Sequence, residues 1–292
     1  MKFLITSCFF LLFNVTNLVA QQQLGYELKV GDEFQLQQNS VQTIKQSITG
    51  MEIELVNDIQ GDYIMRVKEV REDSYIIEFE FTRFVYSMGS ETIGPILDVD
   101  TDREPVDDSD KIFQGLVNVP MQFEMLKTGR IIDMMGGEAL VDSMINASGI
   151  TDPVTISAMR EGMEAEFGGQ KVAAGFEQFT YIYPNAKKRV GDSWTNSLEG
   201  NLIADNTWTL DAVDSRGLVI SGESDVEVKI DSNGTQISAK GTQSTQITSN
   251  PGHGFIVTFH SESTAVGNSY VQQLPDTPIP TTITTVTDYI IK

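Results

Sequence analysis

A pattern of basic residue, Val-Gly-Asp, polar residue and aromatic occurs twice in this chain. It reads Lys29-Val30-Gly31-Asp32-Glu33-Phe34 and, about half a chain later, Arg189-Val190-Gly191-Asp192-Ser193-Trp194. Gly-Asp is favoured where the backbone must turn, and in both places a strand-like run follows. A turn and strand opening that recurs at this distance predicts two related β units. It says nothing about chemistry.

Between and around these landmarks the apolar residues alternate. Leu24, Tyr26, Leu28 and Val30 predict a half-buried strand ending at Gly31-Asp32, and Phe34 and Leu36 begin another that thins to Val41, Ile44 and Ile48. Three further strands are expected, led by Met51, by Tyr63 and by Tyr75, with turns at Gly61-Asp62 and at Arg71 to Ser74. Residues 89–110 read as an acidic loop. A hairpin follows, with Met121, Phe123 and Met125 on one arm, Thr128-Gly129 at the turn and Ile131 to Met135 on the other.

The period then changes. Leu140, Val141, Met144 and Ile145 share a helical face that Gly149 ends, Asp152-Pro153 is a helix start, and Ile156, Met159, Met163 and Phe167 form the next stripe. Val172, Phe176 and Phe179 make a shorter one, stopped by Pro184. Strands resume beyond Val190, with Asn233-Gly234 as a hairpin turn, Asn250 to Gly254 as another, and a linker from Pro275 to Pro280 before a terminal strand at Ile283 to Ile291. The expected fold is therefore α+β and mostly antiparallel β: two similar β-meander units, with a helical segment over about 138–182 packed between or beneath them. The corresponding division is a first β unit at 21–137, a helical segment at 138–184 and a second β unit at 185–292.

Residues 1–20 read as a signal peptide, with Lys2 as the positive region, Phe3 to Phe13 as the apolar run and Val19-Ala20 as the cleavage site. Asn14, Thr16 and Asn17 leave that run short for a membrane span, so no transmembrane segment is expected in the mature chain. Ile5-Thr6-Ser7-Cys8 resembles a lipobox, but Cys8 precedes most of the apolar stretch. Cys8 is also the one cysteine in the chain. A mature protein without cysteine excludes thiol catalysis and cysteine-ligated metal, and its expected location is periplasmic or secreted. The formal net charge of −21 makes nucleic acid an unfavourable partner.

Chemical motifs are sparse. His253 and His260 are the only histidines and would face opposite sides of a strand, and no nucleophile elbow, phosphate loop or dinucleotide fingerprint occurs. No cofactor is expected. Asp98, Asp100 and Asp102 alternate like oxygen ligands for calcium, yet Arg103 stands where an EF-hand needs glycine, and a solvated acidic loop is the plainer account. Seven of the eleven methionines, from Met121 to Met163, fall where the hairpin meets the helices. Flexible thioethers suit both an adaptable apolar pocket and an ordinary irregular core, and both readings stand.

Tyr26 to Gly31, Ile48-Thr49-Gly50-Met51, Asp108-Ser109-Asp110 and the block from Tyr183-Pro184 to Trp194 together resemble the exported bacterial family called domain of unknown function 6263. The resemblance implies no established activity and carries over no site residue. A looser, architectural likeness is to periplasmic lipoprotein carriers, which implies a curved antiparallel sheet wrapped over helices around an apolar cavity.

The expected function is a non-enzymatic binding module for an apolar, lipid-like ligand, with Met121, Phe123, Met125, Met144, Met159 and Met163 as its candidate contacts. The alternative is an envelope structural module whose partner is another envelope protein. A carboxylate-dependent hydrolase is the third reading, with no pair of acids singled out.

Overall fold

The computed structural model describes residues 21–292 except 49, 216, 233 and 273; the signal peptide, its cleavage bond and Cys8 lie outside the described residues, as does Asn233 of the hairpin turn. In chain order the elements are β1 (Gln22–Leu24), β2 (Glu33–Ile48), β3 (Met51–Val70), β4 (Ser74–Ser90), β5 (Gly94–Asp100), α1 (Asp108–Gln114), β6 (Met121–Leu126) and β7 (Ile131–Met135). Then come α2 (Gly137–Ser148), α3 (Pro153–Phe167), α4 (Gly169–Thr180), β8 (Ala186–Lys188), β9 (Ser193–Leu198), β10 (Leu202–Asp214), β11 (Gly217–Ser232), β12 (Thr235–Ser249), β13 (Ile256–Val271) and β14 (Leu274–Ile291). Among the described residues no helix is long and apolar enough to cross a membrane.

Twelve strands form one antiparallel sheet in the order β7-β6-β4-β3-β2-β14-β13-β12-β11-β10-β9, with β5 added against β4. The two halves of the sequence meet where β2 pairs with β14, from Leu36 opposite Ile291 to Gln46 opposite Thr281. The short strands β1 and β8 pair separately as a two-stranded ribbon. The helical segment sits between the strand groups, as an α+β chain with this patterning requires.

The two Val-Gly-Asp turns are built alike. The amides of Lys29 and Arg189 each donate to the carboxylate of their own turn, Asp32 or Asp192, at 2.8 Å. Each turn glycine has positive φ, 90° at Gly31 and 91° at Gly191, and each donates to the partner strand, at Val67 and Leu210 respectively. Phe34 and Trp194 then both enter the core.

Four expectations from the sequence are corrected. Gly61-Asp62 is not a turn but the middle of the 20-residue strand β3. A Cβ at Gly61 would lie 2.7–2.9 Å from the ring and hydroxyl of Tyr63, so the glycine makes room for that ring, and a bulge beside Asp62 absorbs the irregularity. The acidic loop at 89–110 contains β5, which pairs with β4. The proline linker at 275–280 lies within β14: Ile279 and Pro280 pair with β13, while pairing to β2 begins only at Thr281. Proline is tolerated there because that stretch of strand has a neighbour on one side only. At the N-terminus, β1 is shorter than the alternation suggested, and Val30 is exposed. Leu24, Tyr26 and Leu28 are nonetheless buried, and Tyr26 and Glu27 bond to Lys127 and His253 instead of to a neighbouring strand.

The helix caps follow the sequence. Asp152 accepts from the Thr155 amide at 2.9 Å, Pro153 opens α3, and Gly149 closes α2 in the left-handed region.

Candidate functional site

Helix α4 locates the site because it touches parts of the sheet that are far apart in strand order. Phe176 packs against Phe79 of β4 at 4.5 Å, Phe123 of β6 at 5.6 Å and Tyr63 of β3 at 5.9 Å, and Phe179 against Tyr289 of β14 at 4.3 Å. On its outer side Glu177 accepts from the amide of Ile131 on the edge strand β7 at 2.7 Å, and Lys171 donates to Asn201, before β10, at 2.9 Å. One helix meets both ends of the strand order only if the sheet curls around it. The free amide edge of β7 is thereby covered. Burial raises the Glu177 carboxyl above its usual range, against the hydrogen bond from Ile131 and the charge of Arg130, which lower it.

The concave face inside this curl is layered. Strand neighbours in register make rows across it. An apolar row, Leu210, Ile220, Ile247, Phe259 and Tyr289, lies nearest the helices. Next come two uncharged polar rows: Thr245, Ser261, Thr287 and Ser40, then Asn206, Ser224, Gln243, Ser263, Thr285 and Gln42. Beyond them the face is apolar again, through Ala204, Val226, Gly241, Ala265, Ile283 and Ile44. Several polar groups bond to one another, with Ser40 and Thr287 hydroxyls 2.8 Å apart and Ser224 donating to Asn206 at 2.5 Å. The belt is therefore stable without any charged partner.

Two cavities open where α4 meets this face. One of about 160 Å³ is lined by Gln38, Tyr63, Phe84, Val172, Phe179 and Tyr289 among others. The second, about 190 Å³, lies among the polar rows and the outer apolar row, with Gln178 of α4 and Gln42, Gln243, Ser263, Ala265 and Ile283 in its wall. Two larger clefts, about 730 and 990 Å³, flank the outward side of α4 and carry charged rims that include Glu164, Lys171, Glu177 and Glu199.

The residues singled out from sequence lie elsewhere. Met121, Phe123, Met125 and Met144 are all at most 1% exposed in the main core, Met163 packs on that core and Met159 is half-buried on α3. None of them lines the cavities just described. The signal for the hollow region was present but of a different kind, namely alternating Ser, Thr, Gln, Ala and Gly along β12, β13 and β14.

The acidic stretch is held by arginines. Asp98 pairs with Arg103 at 3.0 Å, while Asp100 and Asp102 both pair with Arg83, at 2.9 and 3.0 Å. Burial works to raise the Asp100 pKa, but hydrogen bonds from Arg83 and the Asp102 amide outweigh it and lower the value. Among the described residues no group of three His, Cys, Asp or Glu side chains is placed to hold a metal ion.

Comparison with known proteins agrees with the fold. Lipovitellin, in a structure concerned with its lipid–protein interactions, matches at a TM-score of 0.50 with 12% identity, over 91% of this chain and 25% of its own. The chain thus spans a quarter of the lipovitellin chain, and at that identity the likeness is one of fold. A Bacteroides fragilis protein with a YmcC-like fold, described as exported, aligns over 92% of this chain and 97% of its own at 10% identity, but with a TM-score of 0.23. An outer membrane channel of Pseudomonas putida F1 aligns over 91% and 97% at 7% identity and a TM-score of 0.28. No curated protein matches the sequence. The model of the family of unknown function, DUF6263, matches residues 72–256, and the chain belongs to that family.

Proposed function

We propose that the protein is a non-enzymatic carrier that holds an apolar, lipid-like molecule between α4 and the concave face of its sheet. The observation that carries this reading is the pair of cavities of about 160 and 190 Å³ along the inner flanks of α4, within a sheet that curls around the helix. Ligand pockets form where a scaffold leaves apolar walls with a few polar groups between them. Lipovitellin, whose structure was described in terms of lipid–protein interactions, shares the fold and lends support. Both cavities are smaller than the roughly 300 Å³ at which ligand pockets usually begin, so this reading requires α4 to shift outward when a whole ligand enters.

On this reading Met121, Phe123, Met125, Met144, Met159 and Met163 form or brace the floor behind the cavities. The first β unit at 21–137, the helical segment at 138–184 and the second β unit at 185–292 are the parts of the proposed carrier; the matched hydrogen bonds of the two Val-Gly-Asp turns support that division. Export through cleavage after Ala20, to the periplasm or the medium, belongs to the same proposal. N-terminal sequencing of the exported protein checks it.

The test of binding is organic extraction and native mass spectrometry of the purified protein, beside uptake of Nile red. A bound apolar species or a rise in Nile red fluorescence is expected, and both are lost when Ala265→Trp fills the space beside Ile283. Protein free of ligand by both methods, with no dye uptake, overturns the reading.

A further inference from the structure

The lining of the inner cavity carries information about its ligand, and this inference rests on the carrier reading above. We propose that the ligand is an electrically neutral amphiphile, one that joins an apolar chain to an uncharged hydrogen-bonding group such as an ester, amide or hydroxyl. Fatty-acid anions, anionic phospholipids and cationic amphiphiles are the excluded classes.

The cavity of about 190 Å³ has no acidic or basic residue in its wall. Its polar groups are the hydroxyls of Ser261, Ser263, Thr285 and Thr287 and the carboxamides of Gln42, Gln178, Gln243 and Asn201. Every one of them can both donate and accept, so together they complement carbonyl and hydroxyl groups without favouring either sign of charge. The neighbouring cavity of about 160 Å³ is lined by Gln38 and otherwise by aromatic and aliphatic residues and glycine, again uncharged.

An ionised head group brought into such a place loses its water and finds no opposite charge, which is costly. A neutral group exchanges its water for the belt at little cost. The charges nearby line the adjoining cleft, which shares Gln178, Asn201 and Leu202 with this cavity: there Lys171 donates to the Asn201 carboxamide beside Glu164 and Glu199, while Glu177 is turned to Ile131. The formal net charge of −21 further disfavours an anion. The alternation of apolar, polar and apolar rows also gives the guest a direction, with its polar group at the belt and its chain along Ala265, Ile283 and Ile44 toward the strand tips.

Competition against Nile red, an uncharged dye, tests the proposal on the whole mature protein with three probes of one chain length: 1-monooleoylglycerol, oleate and oleylamine. At about pH 9 oleate is ionised and the amine still mostly protonated. Monooleoylglycerol is expected to displace the dye at concentrations about tenfold or more below those of either charged probe. Gln178 is exposed at the cavity wall, so Gln178→Lys leaves the strands untouched and is expected to move oleate ahead of its wild-type position. Oleate equal to or better than monooleoylglycerol on the wild-type protein overturns the neutral ligand while leaving the carrier intact. Unchanged order in a folded Gln178→Lys protein counts against this cavity as the head-group site. Failure of the dye and of all three probes to bind removes the carrier reading together with the inference.

Discussion

The two halves of the curled sheet present different interiors. In the N-terminal half the inward residues are large: Met65, Phe79, Phe81, Phe84, Phe123 and Met125 meet Leu140, Met144 and Phe176 from the helices and form the main core. In the C-terminal half many of the positions that face inward are small, among them Ala239, Gly241, Ser261, Ser263, Ala265 and Thr285, and a separate small cluster forms around Ile237, Ala239, Ala265 and Ile283. Side-chain size distinguishes the two cavities: the one of about 160 Å³ is walled by the rings of Tyr63, Phe81, Phe84 and Phe176, whereas the one of about 190 Å³ opens among small polar residues.

That contrast can be broken by substitution. Phe176→Ala removes a ring of the main core that touches Tyr63, Phe79, Phe123 and Phe179, and is expected to cost about 3–5 kcal/mol in chemical denaturation. A loss under about 1 kcal/mol would mean that the helix is not tightly seated there. Tyr183→Phe comes next. Its buried hydroxyl lies 2.7 Å from the Ser249 hydroxyl and donates to the Gly254 carbonyl at 2.5 Å, so its removal is expected to cost about 1–3 kcal/mol.

A smaller effect sharpens the likeness between the halves rather than their difference. Asp32→Ala and Asp192→Ala each delete one exposed turn hydrogen bond of the same length and are expected to cost about 0.5–1.5 kcal/mol apiece. The two melts should shift together. Unequal shifts would show that the turns support their strands to different degrees.

The smallest expected effect is on pH, where the two histidines act in opposite directions. His260 lies 2.7 Å from Asp288 and 3.2 Å from Glu262, and the hydrogen bond to Asp288 raises its pKa above the usual value. Its stabilisation is complete below about pH 6.5 and is lost as pH rises through the raised folded value. Burial lowers the pKa of His253, which packs against Phe34, so the fold prefers its neutral form. That preference destabilises the protein as pH falls below about 6.5 and levels off beneath the lowered folded value. In the wild type the two losses fall on opposite sides of about pH 6.5 and together give a stability maximum near that pH. His260→Gln should leave only the acid-side loss due to His253, as measured by thermal melts across that range, and an unchanged profile would contradict the pairing with Asp288.

Strand periodicity, the capping of α3 by Asp152, the stop at Gly149 and the paired Val-Gly-Asp turns are local, and the residues that form them lie within a few positions of one another. Such features are legible because backbone conformation and nearby hydrogen bonds depend on near neighbours. The antiparallel α+β class followed from them, as did the apolar stripe of Val172, Phe176 and Phe179 that α4 buries. Gly61 and Pro280 misled for the complementary reason. Glycine and proline signal turns in isolation, yet here one is spared by the ring of Tyr63 and the other by the missing neighbour of β14.

Alternation and capping along the chain set most of the strands, the helix ends and the uncharged character of the inward positions of β12 to β14. Contacts between distant segments set the pairing of β2 with β14, the curl of the sheet around α4, and the burial of Met121, Met125 and Met144 in the main core while a cavity opens beside Gln178 and Ile283. The physical reason is range: a strand's faces are set by alternation along the chain, whereas a cavity is a shortfall of volume between segments far apart in sequence, and no single segment carries that sum.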